Sequence, residues 1–237
     1  MTDLLAMEKI NAGYGGALVL HDVSLALGEG MAMALLGRNG VGKTTLINTI
    51  VGQTRLFSGR IRLAGRDLTA MRSHRRARAG IGWVPQERNI FPSLTVEENL
   101  TAVARPGLWT LTRLYQLFPR LAERSRNGGT QISGGEQQML AVARALITNP
   151  ALLLFDEPLE GLAPVIVEEL LGVIRTIIQD QGMTVIIVEQ NARQMLALTT
   201  RAAILERGRV VYDGESAALA RDNAILERYL GIGGQAC

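Results

Sequence analysis

A glycine-rich segment near the start of the chain has the residue types that bind the phosphate groups of a nucleotide. It matches G-x-x-x-x-G-K-[ST] and reads Gly37-Arg38-Asn39-Gly40-Val41-Gly42-Lys43-Thr44, followed by Thr45. Glycines allow successive backbone N–H groups to point inward at a helix start, where an anion binds. Lys43 brings a positive charge to the β- and γ-phosphates, and the Thr44 hydroxyl is a hard oxygen ligand that suits Mg²⁺. The segment therefore predicts a site for ATP or GTP.

The residues on either side of this phosphate loop (residues 37–44) supply the context that the motif needs. Residues 31–36 are an apolar run of strand length, and residues 46–51 have the pattern of a helix. A strand, a glycine loop and a helix in succession are the setting in which the motif binds phosphate. This setting disfavours the alternative, a chance glycine-rich turn before a lysine.

Two carboxylates follow a second apolar strand. Residues 151–155 are continuously apolar, as is typical of a strand buried on both faces, and Asp156 and Glu157 come directly after them. Beside the phosphate loop, this strand end would place Asp156 near Mg²⁺. Glu157, one residue further, could polarise the attacking water as a general base. Taken alone, the same pattern could be an ordinary strand end with acidic residues in the loop.

A third segment combines a helix cap with two glycines. Ser133 and Glu136 have the S-x-x-E spacing of a capping box, which explains both residues by local structure alone. Gly134 and Gly135 lie at the same helix start and expose backbone N–H groups at its positive end. The segment, which continues with Gln137, therefore predicts a second anion site.

The pattern of apolar residues predicts an α/β fold with a mainly parallel core sheet. We expect strands at 4–10, 18–27, 31–36, 60–63, 81–84, 151–155, 184–188, 202–205 and 209–212, with turns at 11–16 and 206–208. We expect helices at 46–51, 72–79, from 95, and at 111–118, 133–148, 165–181, 191–199 and 216–230. The chain is predicted to be a single domain, 1–237. Residues 1–86 and 149–237 form the nucleotide-binding core, with an antiparallel β part at the N-terminus, and residues 87–148 form a helical subdomain that carries the third segment.

Composition limits the possible settings of the protein. Among the 237 residues, hydrophobic residues make up 47%, which is enough for a sizeable core, and the net charge of +3 argues neither for nor strongly against nucleic acid. The basic run 72–78 is expected to be a solvated helix face. The only cysteine is Cys237, which suits a reducing compartment. The apolar runs are far shorter than the roughly 20 residues that cross a bilayer, so a membrane part would have to come from other chains.

In this order the three motifs resemble those of the ATP-binding-cassette (ABC) ATPases. The resemblance covers about residues 5–231, and its most specific part is Ser133-Gly134-Gly135, the serine-glycine motif, which other phosphate-loop families lack. It implies that the chain binds ATP and Mg²⁺ and that two ATPase chains pair head to tail, so that the serine-glycine motif of one meets the γ-phosphate held by the other. Tyr14 matches the aromatic that stacks on adenine. Gln86 matches the glutamine that senses Mg²⁺ and the attacking water. Either could instead be an ordinary turn or loop residue.

Further segments resemble the ATPase subunits of branched-chain amino acid importers. They are the phosphate loop itself, residues 91–100 (FPSLTVEENL) and residues 188–191 (VEQN); importers of urea and short amides share them. The resemblance implies an ATPase at the cytoplasmic face of the inner membrane. Its implied partners are an identical or different ATPase chain, transmembrane permease subunits and, indirectly, a solute-binding protein, with no nucleic acid. A soluble ABC protein acting on ribosomes or DNA and a phosphate-loop kinase are the less favoured alternatives.

The chain departs from the common ABC pattern at two positions. Gln190 stands where most of these ATPases have a histidine that contacts the γ-phosphate, and the two histidines of this chain, His21 and His74, lie far upstream. Gln190 can donate a hydrogen bond but cannot carry a proton. The loop after Glu157 reads Glu160-Gly161-Leu162-Ala163 in place of the frequent Ser-Ala-Leu-Asp. By the resemblance, the importer subgroup also tends to have glutamine at the first position. The loop normally crosses the interface between two ATPase chains, so its altered sequence puts the communication between the paired sites in question.

Overall fold

Two β-sheets organise the chain, one antiparallel and one mainly parallel. In this computed structural model, which describes residues 3–231, the strands are β1 (Asp3–Tyr14), β2 (Ala17–Gly28), β3 (Ala32–Leu36), β4 (Arg55–Leu63), β5 (Arg66–Asp67), β6 (Ile81–Val84), β7 (Leu152–Asp156), β8 (Thr184–Val188), β9 (Arg201–Glu206) and β10 (Arg209–Glu215). The strand orders are β2-β1-β4-β5 and β10-β9-β3-β8-β7-β6. Residues 1–2 and 232–237, and with them Cys237, lie outside the described residues.

Helices cover these sheets and form the insert between β6 and β7. They are α1 (Lys43–Val51), α2 (Ser73–Arg78), α3 (Val96–Thr101), α4 (Leu111–Leu117), α5 (Pro119–Glu123), α6 (Gly134–Leu146), α7 (Pro164–Arg175), α8 (Ala192–Leu198), α9 (Ser216–Arg221) and α10 (Asn223–Leu230). Within residues 3–231, no helix combines the length and the apolar character needed to cross a membrane.

The six-stranded sheet confirms the predicted α/β core. Strands β3, β7 and β8 are buried at every position. They pair in parallel, as do β3 with β9 and β6 with β7, and only β10 runs antiparallel to its neighbour. Alternate residues of β3 enter two different hydrophobic clusters, one on each side of the sheet. A strand covered on both faces has no polar side, which explains the continuous apolar runs in the sequence. The carboxyl ends of β3 and β7 carry the phosphate loop and the two carboxylates.

The antiparallel sheet is more extensive than the sequence predicted. The predicted turn 11–16 is too long, because β1 continues to Tyr14 and pairs there with Ala17, which leaves only Gly15 and Gly16 in the turn. Register shifts along β1 interrupt the alternation from which strands are recognised, which hid this extension. Register shifts also occur where β1 pairs with β4, and β4 begins at Arg55 and not at residue 60. The sequence does not predict β5, because it is only two residues long.

In the helical insert, the predicted capping box at Thr95 and Glu98 is present. The helix expected at 111–118 ends at Leu117, and Pro119 begins α5 instead of only ending α4, because proline fits the first position of a helix. The predicted helix 165–181 is α-helical only to Arg175 and continues as a π-helical turn.

Two further predictions are corrected by side-chain hydrogen bonds. The helix expected at 216–230 is two helices, because the Asp222 side chain accepts from the Ile225 N–H and begins α10. The basic run 72–78 is not wholly a solvated face. Arg76 is buried and donates to the backbone oxygens of Thr49 (2.7 Å) and Ile50 (3.0 Å), near the carboxyl end of α1. These bonds satisfy carbonyls that have no partner inside the helix.

Candidate nucleotide-binding site

The phosphate loop lies between β3 and α1 and is shaped by its glycines. Gly42 precedes α1 with φ 110°, and within the described part of the chain no side chain caps this helix start. A side chain at Gly37 is excluded by packing, because a Cβ there would lie 2.5 Å from the Leu205 carbonyl oxygen of β9. The first turn of α1 contains no acidic residue. The positive end of α1 is therefore open to an anion.

Lys43 is buried, and its side chain folds back onto the start of the phosphate loop. Its Nζ donates to the carbonyl oxygens of Gly37 (2.9 Å) and Arg38 (3.1 Å) and lies 3.8 Å from Glu157 Oε1. Burial lowers the pKa of Lys43, and the nearby Glu157 and Asp156 carboxylates oppose that shift. The lysine is thus a charge held in a poorly solvated place, where an anion would interact with it more strongly than in water.

Asp156 is the buried end of β7 and contacts the first turn of α1. The Thr44 hydroxyl donates to Asp156 Oδ1 at 3.2 Å. Asp156 is only 1% exposed, and burial raises its pKa to about 6, against the Thr44 hydrogen bond, which lowers it. Its carboxylate, the Thr44 hydroxyl and the Gln86 amide are all hard oxygen ligands. This donor set fits Mg²⁺, which binds one or two protein oxygens together with water and phosphate.

Glu157 and Gln190 meet at the adjoining strand ends. Glu157 has a left-handed backbone (φ 49°), and its N–H donates to the Val188 oxygen at 2.9 Å. Gln190 Nε2 donates to Glu157 Oε2 at 3.2 Å. A non-glycine residue in the left-handed region is strained and frequently marks a functional position. The geometry brings together a candidate base and the residue that replaces the usual histidine.

One cavity of about 320 Å³ joins Lys43, Thr44, Glu157 and Gln190, whereas Asp156 is not among its lining residues and is connected to it through Thr44. On its wall, Gln86 Nε2 donates to Glu160 Oε2, which connects the loop after β6 with the loop after β7. The cavity is lined by Val19, Asn39, Gly40, Gly42, Lys43, Thr44, Thr45, Gln86, Glu157, Glu160 and Gln190. Nine of these residues are sequence-predicted site residues, and their number and variety agree with a polar ligand of nucleotide size.

The serine-glycine motif, among the described residues, is not part of this cavity. Ser133 accepts from the Glu136 N–H at 3.2 Å, and the Glu136 side chain accepts from the Ser133 N–H at 2.8 Å, which is the predicted capping box. Gly135 packs closely on α7, since a Cβ there would lie 2.9 Å from Ile166 Cγ2. Gln137 Nε2 donates to the Gly129 (3.2 Å) and Ile132 (3.3 Å) oxygens, so it braces the segment before the helix. Among residues 3–231, the cavity lining does not include the motif.

Tyr14 also lies outside the cavity lining, at the end of β1. It is 45% exposed, and its hydroxyl accepts from Asn48 Nδ2 at 2.8 Å. Asn48 belongs to α1, so the ring stands beside the helix that follows the phosphate loop. The ring is thus partly exposed beside this helix, and its role in stacking on a base stays a prediction.

The sequence does not predict the roles of two residues beside the site, Glu160 and Glu189, or of one buried residue in the helical insert, Asn99. Glu160 belongs to the unusual loop after Glu157, and Glu189 belongs to the family-like segment 188–191. Asn99 is fully buried and bonds to the backbone of Phe91 in both directions, at 2.8 and 3.0 Å. A buried amide bonded to a loop cannot be recognised without knowing which loop folds over it. The one available signal was the position of Glu189 next to Gln190.

Comparison with known proteins places these motifs in one family. A model of the family described as ABC transporter matches residues 20–160. The high-affinity branched-chain amino acid transport ATP-binding protein BraG of Pseudomonas aeruginosa is 42% identical over 96% of this chain and 100% of that protein. The lipopolysaccharide export system ATP-binding protein LptB of Haemophilus influenzae is 35% identical over 96% of this chain and 97% of that protein.

The fold is similar to that of solved ATP-binding cassettes. A dimeric ATP-binding cassette, MJ0796 bound to ADP and Pi, superposes with a TM-score of 0.77 over 90% of this chain and 98% of that one, at 23% identity. At that identity the likeness concerns the fold alone.

Proposed function

Because this chain belongs to the ABC transporter family, we propose that it is the ATPase subunit of an importer for branched-chain or other hydrophobic amino acids. ATP binding and hydrolysis are the activity of the family, and the chain is an ABC-type ATP hydrolase. The observation that carries the choice of cargo class is the 42% identity to BraG, which extends over the full length of that protein.

We propose that the phosphate loop binds the β- and γ-phosphates of ATP. Backbone N–H groups at the start of α1 face the anion, and Lys43 Nζ exchanges the carbonyl oxygens of its own loop for phosphate oxygens. Thr44, Gln86 and Asp156 are the residues that would hold Mg²⁺. When bound, this ion would neutralise charge that develops on the phosphate oxygens. Tyr14, beside α1, is proposed to stack on the adenine ring.

Glu157 is proposed to act as the general base of hydrolysis. One of its oxygens receives a hydrogen bond from Gln190, and the other lies 3.8 Å from Lys43 Nζ. The carboxylate would accept a proton from the attacking water, while Gln190 orients it through Nε2. Gln190 has no titrating group, so the proton has to reside on Glu157 and not on residue 190.

The serine-glycine motif is proposed to act on a second ATPase chain. Within the described residues the motif does not line the cavity formed by its own phosphate loop, and a head-to-tail pair would bring it to the nucleotide of the partner. Binding of ATP would then close the pair, and hydrolysis would reopen it.

The surface for the membrane partners is proposed to be the groove between the core and the helical insert. This groove, of about 350 Å³, is lined from the core by His74 and Trp83 and from the insert by Phe91 and Arg144. Arg144 stacks on Phe91, with its guanidinium carbon 4.6 Å from the ring centre. Phe91 follows closely after Gln86, so a permease segment in the groove would sense the state of the site. The chain would then work at the cytoplasmic face of the inner membrane.

Two other cargo classes use the same ATPase chemistry. An importer of urea or short amides shares the sequence features of residues 188–191. Lipopolysaccharide export is the function of the LptB relative at 35% identity. The chemistry of hydrolysis is identical in all three cases, so the partners decide between them.

The test is co-purification followed by transport. The tagged chain is extracted from its native membranes in mild detergent, and the associated proteins are identified by mass spectrometry. The purified complex is then placed in vesicles with the co-encoded solute-binding protein, and ATP-dependent uptake of labelled leucine and of labelled urea is measured. A complex carrying Glu157→Gln is the inactive control.

Uptake of leucine that requires ATP and is lost in the control would support the proposal. Uptake of urea alone would change the proposed cargo class but support the proposal that the chain serves an importer. Co-purification of lipopolysaccharide-export proteins, or of ribosomal or DNA-repair proteins with no membrane protein, would overturn the importer.

A further inference from the structure

A buried carboxylate, Glu189, joins the two backbone segments that carry the proposed hydrolytic residues. It is 6% exposed; Oε1 accepts from the Leu159 N–H at 2.8 Å and Oε2 from the Gln190 N–H at 3.0 Å. We propose that Glu189 is a positioning residue for ATP hydrolysis, which holds Glu157 and Gln190 in contact by bonding to the backbone of both loops.

The geometry shows how this would work. Leu159 lies two residues after Glu157, and Gln190 directly follows Glu189. Glu157 is fixed on its other side by its own N–H, which donates to the Val188 oxygen at 2.9 Å. The strained backbone of Glu157 is therefore tied to the end of β8 before and after the residue. With both loops tied to the same strand end, the 3.2 Å contact between Gln190 Nε2 and Glu157 Oε2 is maintained.

Only a carboxylate satisfies both backbone donors. It has two acceptor oxygens and no hydrogen, whereas a glutamine side chain has one acceptor oxygen and an NH₂ group that would face a backbone N–H. Hydrogen bonds to an ionised acceptor are also the stronger kind. Glutamine at residue 189 would nearly preserve the volume and break one of the two bonds.

Burial makes the charged form of this carboxylate energetically unfavourable. It raises the pKa of Glu189, against the opposing effect of the Leu159 and Gln190 hydrogen bonds and with further elevation from the Glu157 and Glu160 charges. A smaller neutral residue would avoid both the desolvation and the repulsion. The placement of an acidic residue among other acidic residues is explained if the two bonds serve the site.

The experiment compares Glu189→Gln and Glu189→Ala with Glu168→Gln. Glu168 lies in the same cleft as Glu189 but is exposed, so it controls for loss of charge. Hydrogen exchange of backbone amides is followed in the purified chain. The kcat and KM for ATP are measured in the complex in which the chain is purified.

We expect exchange of the Leu159 or Gln190 amide to quicken about tenfold or more in Glu189→Gln, and of both in Glu189→Ala, while amides of β3 stay protected. We expect kcat to fall roughly 10- to 100-fold, with KM for ATP changed less than about twofold, because orientation and not binding is lost. The Glu168→Gln control should match the wild type in both measurements.

Unchanged exchange at both amides, unchanged kcat, or an equal loss of kcat and ATP binding would each overturn the proposal. Should Glu189→Ala fail to fold, the nearly isosteric glutamine variant decides. The inference rests on the proposed roles of Glu157 and Gln190, and the two can fail separately. Normal turnover in Glu157→Gln would refute the base role, whereas the exchange measurement tests the two bonds of Glu189 by themselves.

Discussion

The chain contains two glycine-rich helix starts that differ in how their backbone donors are satisfied. At α6, Ser133 and Glu136 form a reciprocal capping box, and Glu136 lies 3.9 Å from Arg124. At α1, the preceding residue is Gly42, and in the described chain no side chain caps the helix. Lys43 and Asp156 are buried beside this second start, each with its pKa shifted by burial against its charged form.

The uncapped start of α1 is arranged to bind a ligand, whereas the backbone donors at the start of α6 are already satisfied by its own capping box. The start of α6 has a full local explanation, and a nucleotide there would add to an already stable structure. The start of α1 leaves donors and buried charges in an arrangement that lowers the stability of the free chain and that phosphate and a cation would relieve. Substitutions near α1 should therefore harm function while sparing or raising stability, whereas those at α6 should lower both.

The largest effect is expected from Glu157→Gln. Replacing the carboxylate with an amide removes the proposed base but keeps the size of the side chain, so kcat should fall by about 10²–10⁴ while ATP still binds. Turnover in the purified complex and equilibrium binding of a fluorescent ATP analogue measure the two effects. Near-normal turnover would remove Glu157 from the mechanism and leave the strained backbone at Glu157 without a functional explanation.

Lys43→Met should weaken ATP binding by roughly 10- to 100-fold, since a charge-assisted hydrogen bond to phosphate is lost. The stability of the nucleotide-free chain should not fall, because a desolvated ammonium is replaced by an apolar chain. Binding and urea unfolding are measured on the same preparation. Arg38→Met is the matched control, since it alters an exposed cation in the same loop. A clear loss of stability in Lys43→Met would contradict the proposed contrast between the two helix starts.

The sequence predicted the parts of this site that depend on local rules. The phosphate loop, the cap at Ser133 and the buried strand before Asp156 each follow from spacing and residue type within a few residues. The bonds of Glu189 to Leu159, of Gln86 to Glu160 and of Arg76 to α1 could not be predicted, because each joins segments that meet only in the folded chain. The long β1 was missed since its register shifts remove the alternation that indicates a strand.

Asp156→Asn tests the cost of a buried charge near α1. The pKa of Asp156 is raised from 3.8 to about 6, so between these values the folded chain binds more protons than the unfolded chain. Asp156 therefore contributes stability that is fully present below pH 3.8 and is lost as the pH rises through about 6. At pH 7 without metal or nucleotide, the asparagine variant should be more stable by about 1–3 kcal/mol. Urea unfolding in EDTA at pH 7 and pH 4.5 measures the gain, which should shrink at the lower pH. An equal gain at both values would contradict this assignment.

Ser133→Ala should lower stability and hydrolysis together. Loss of an N-cap side chain costs about 1 kcal/mol of unfolding free energy, and the proposed contact with the nucleotide of the paired chain disappears with the same hydroxyl. The ATP affinity of the single chain should be unchanged, because the serine-glycine motif is outside its own cavity. Urea unfolding, nucleotide binding and turnover in the complex measure the three quantities.

Two variants separate the cap from the proposed contact. Thr95→Ala removes the same kind of capping box from α3 and should lower the unfolding free energy by a similar amount, about 1 kcal/mol, with turnover preserved. Ser133→Asp keeps a good N-cap acceptor but would place a negative charge against the γ-phosphate, so stability should be retained and turnover lost. If Ser133→Asp hydrolyses ATP normally, the start of α6 is only a helix cap, and the contrast with α1 becomes one between a functional and a purely structural helix start.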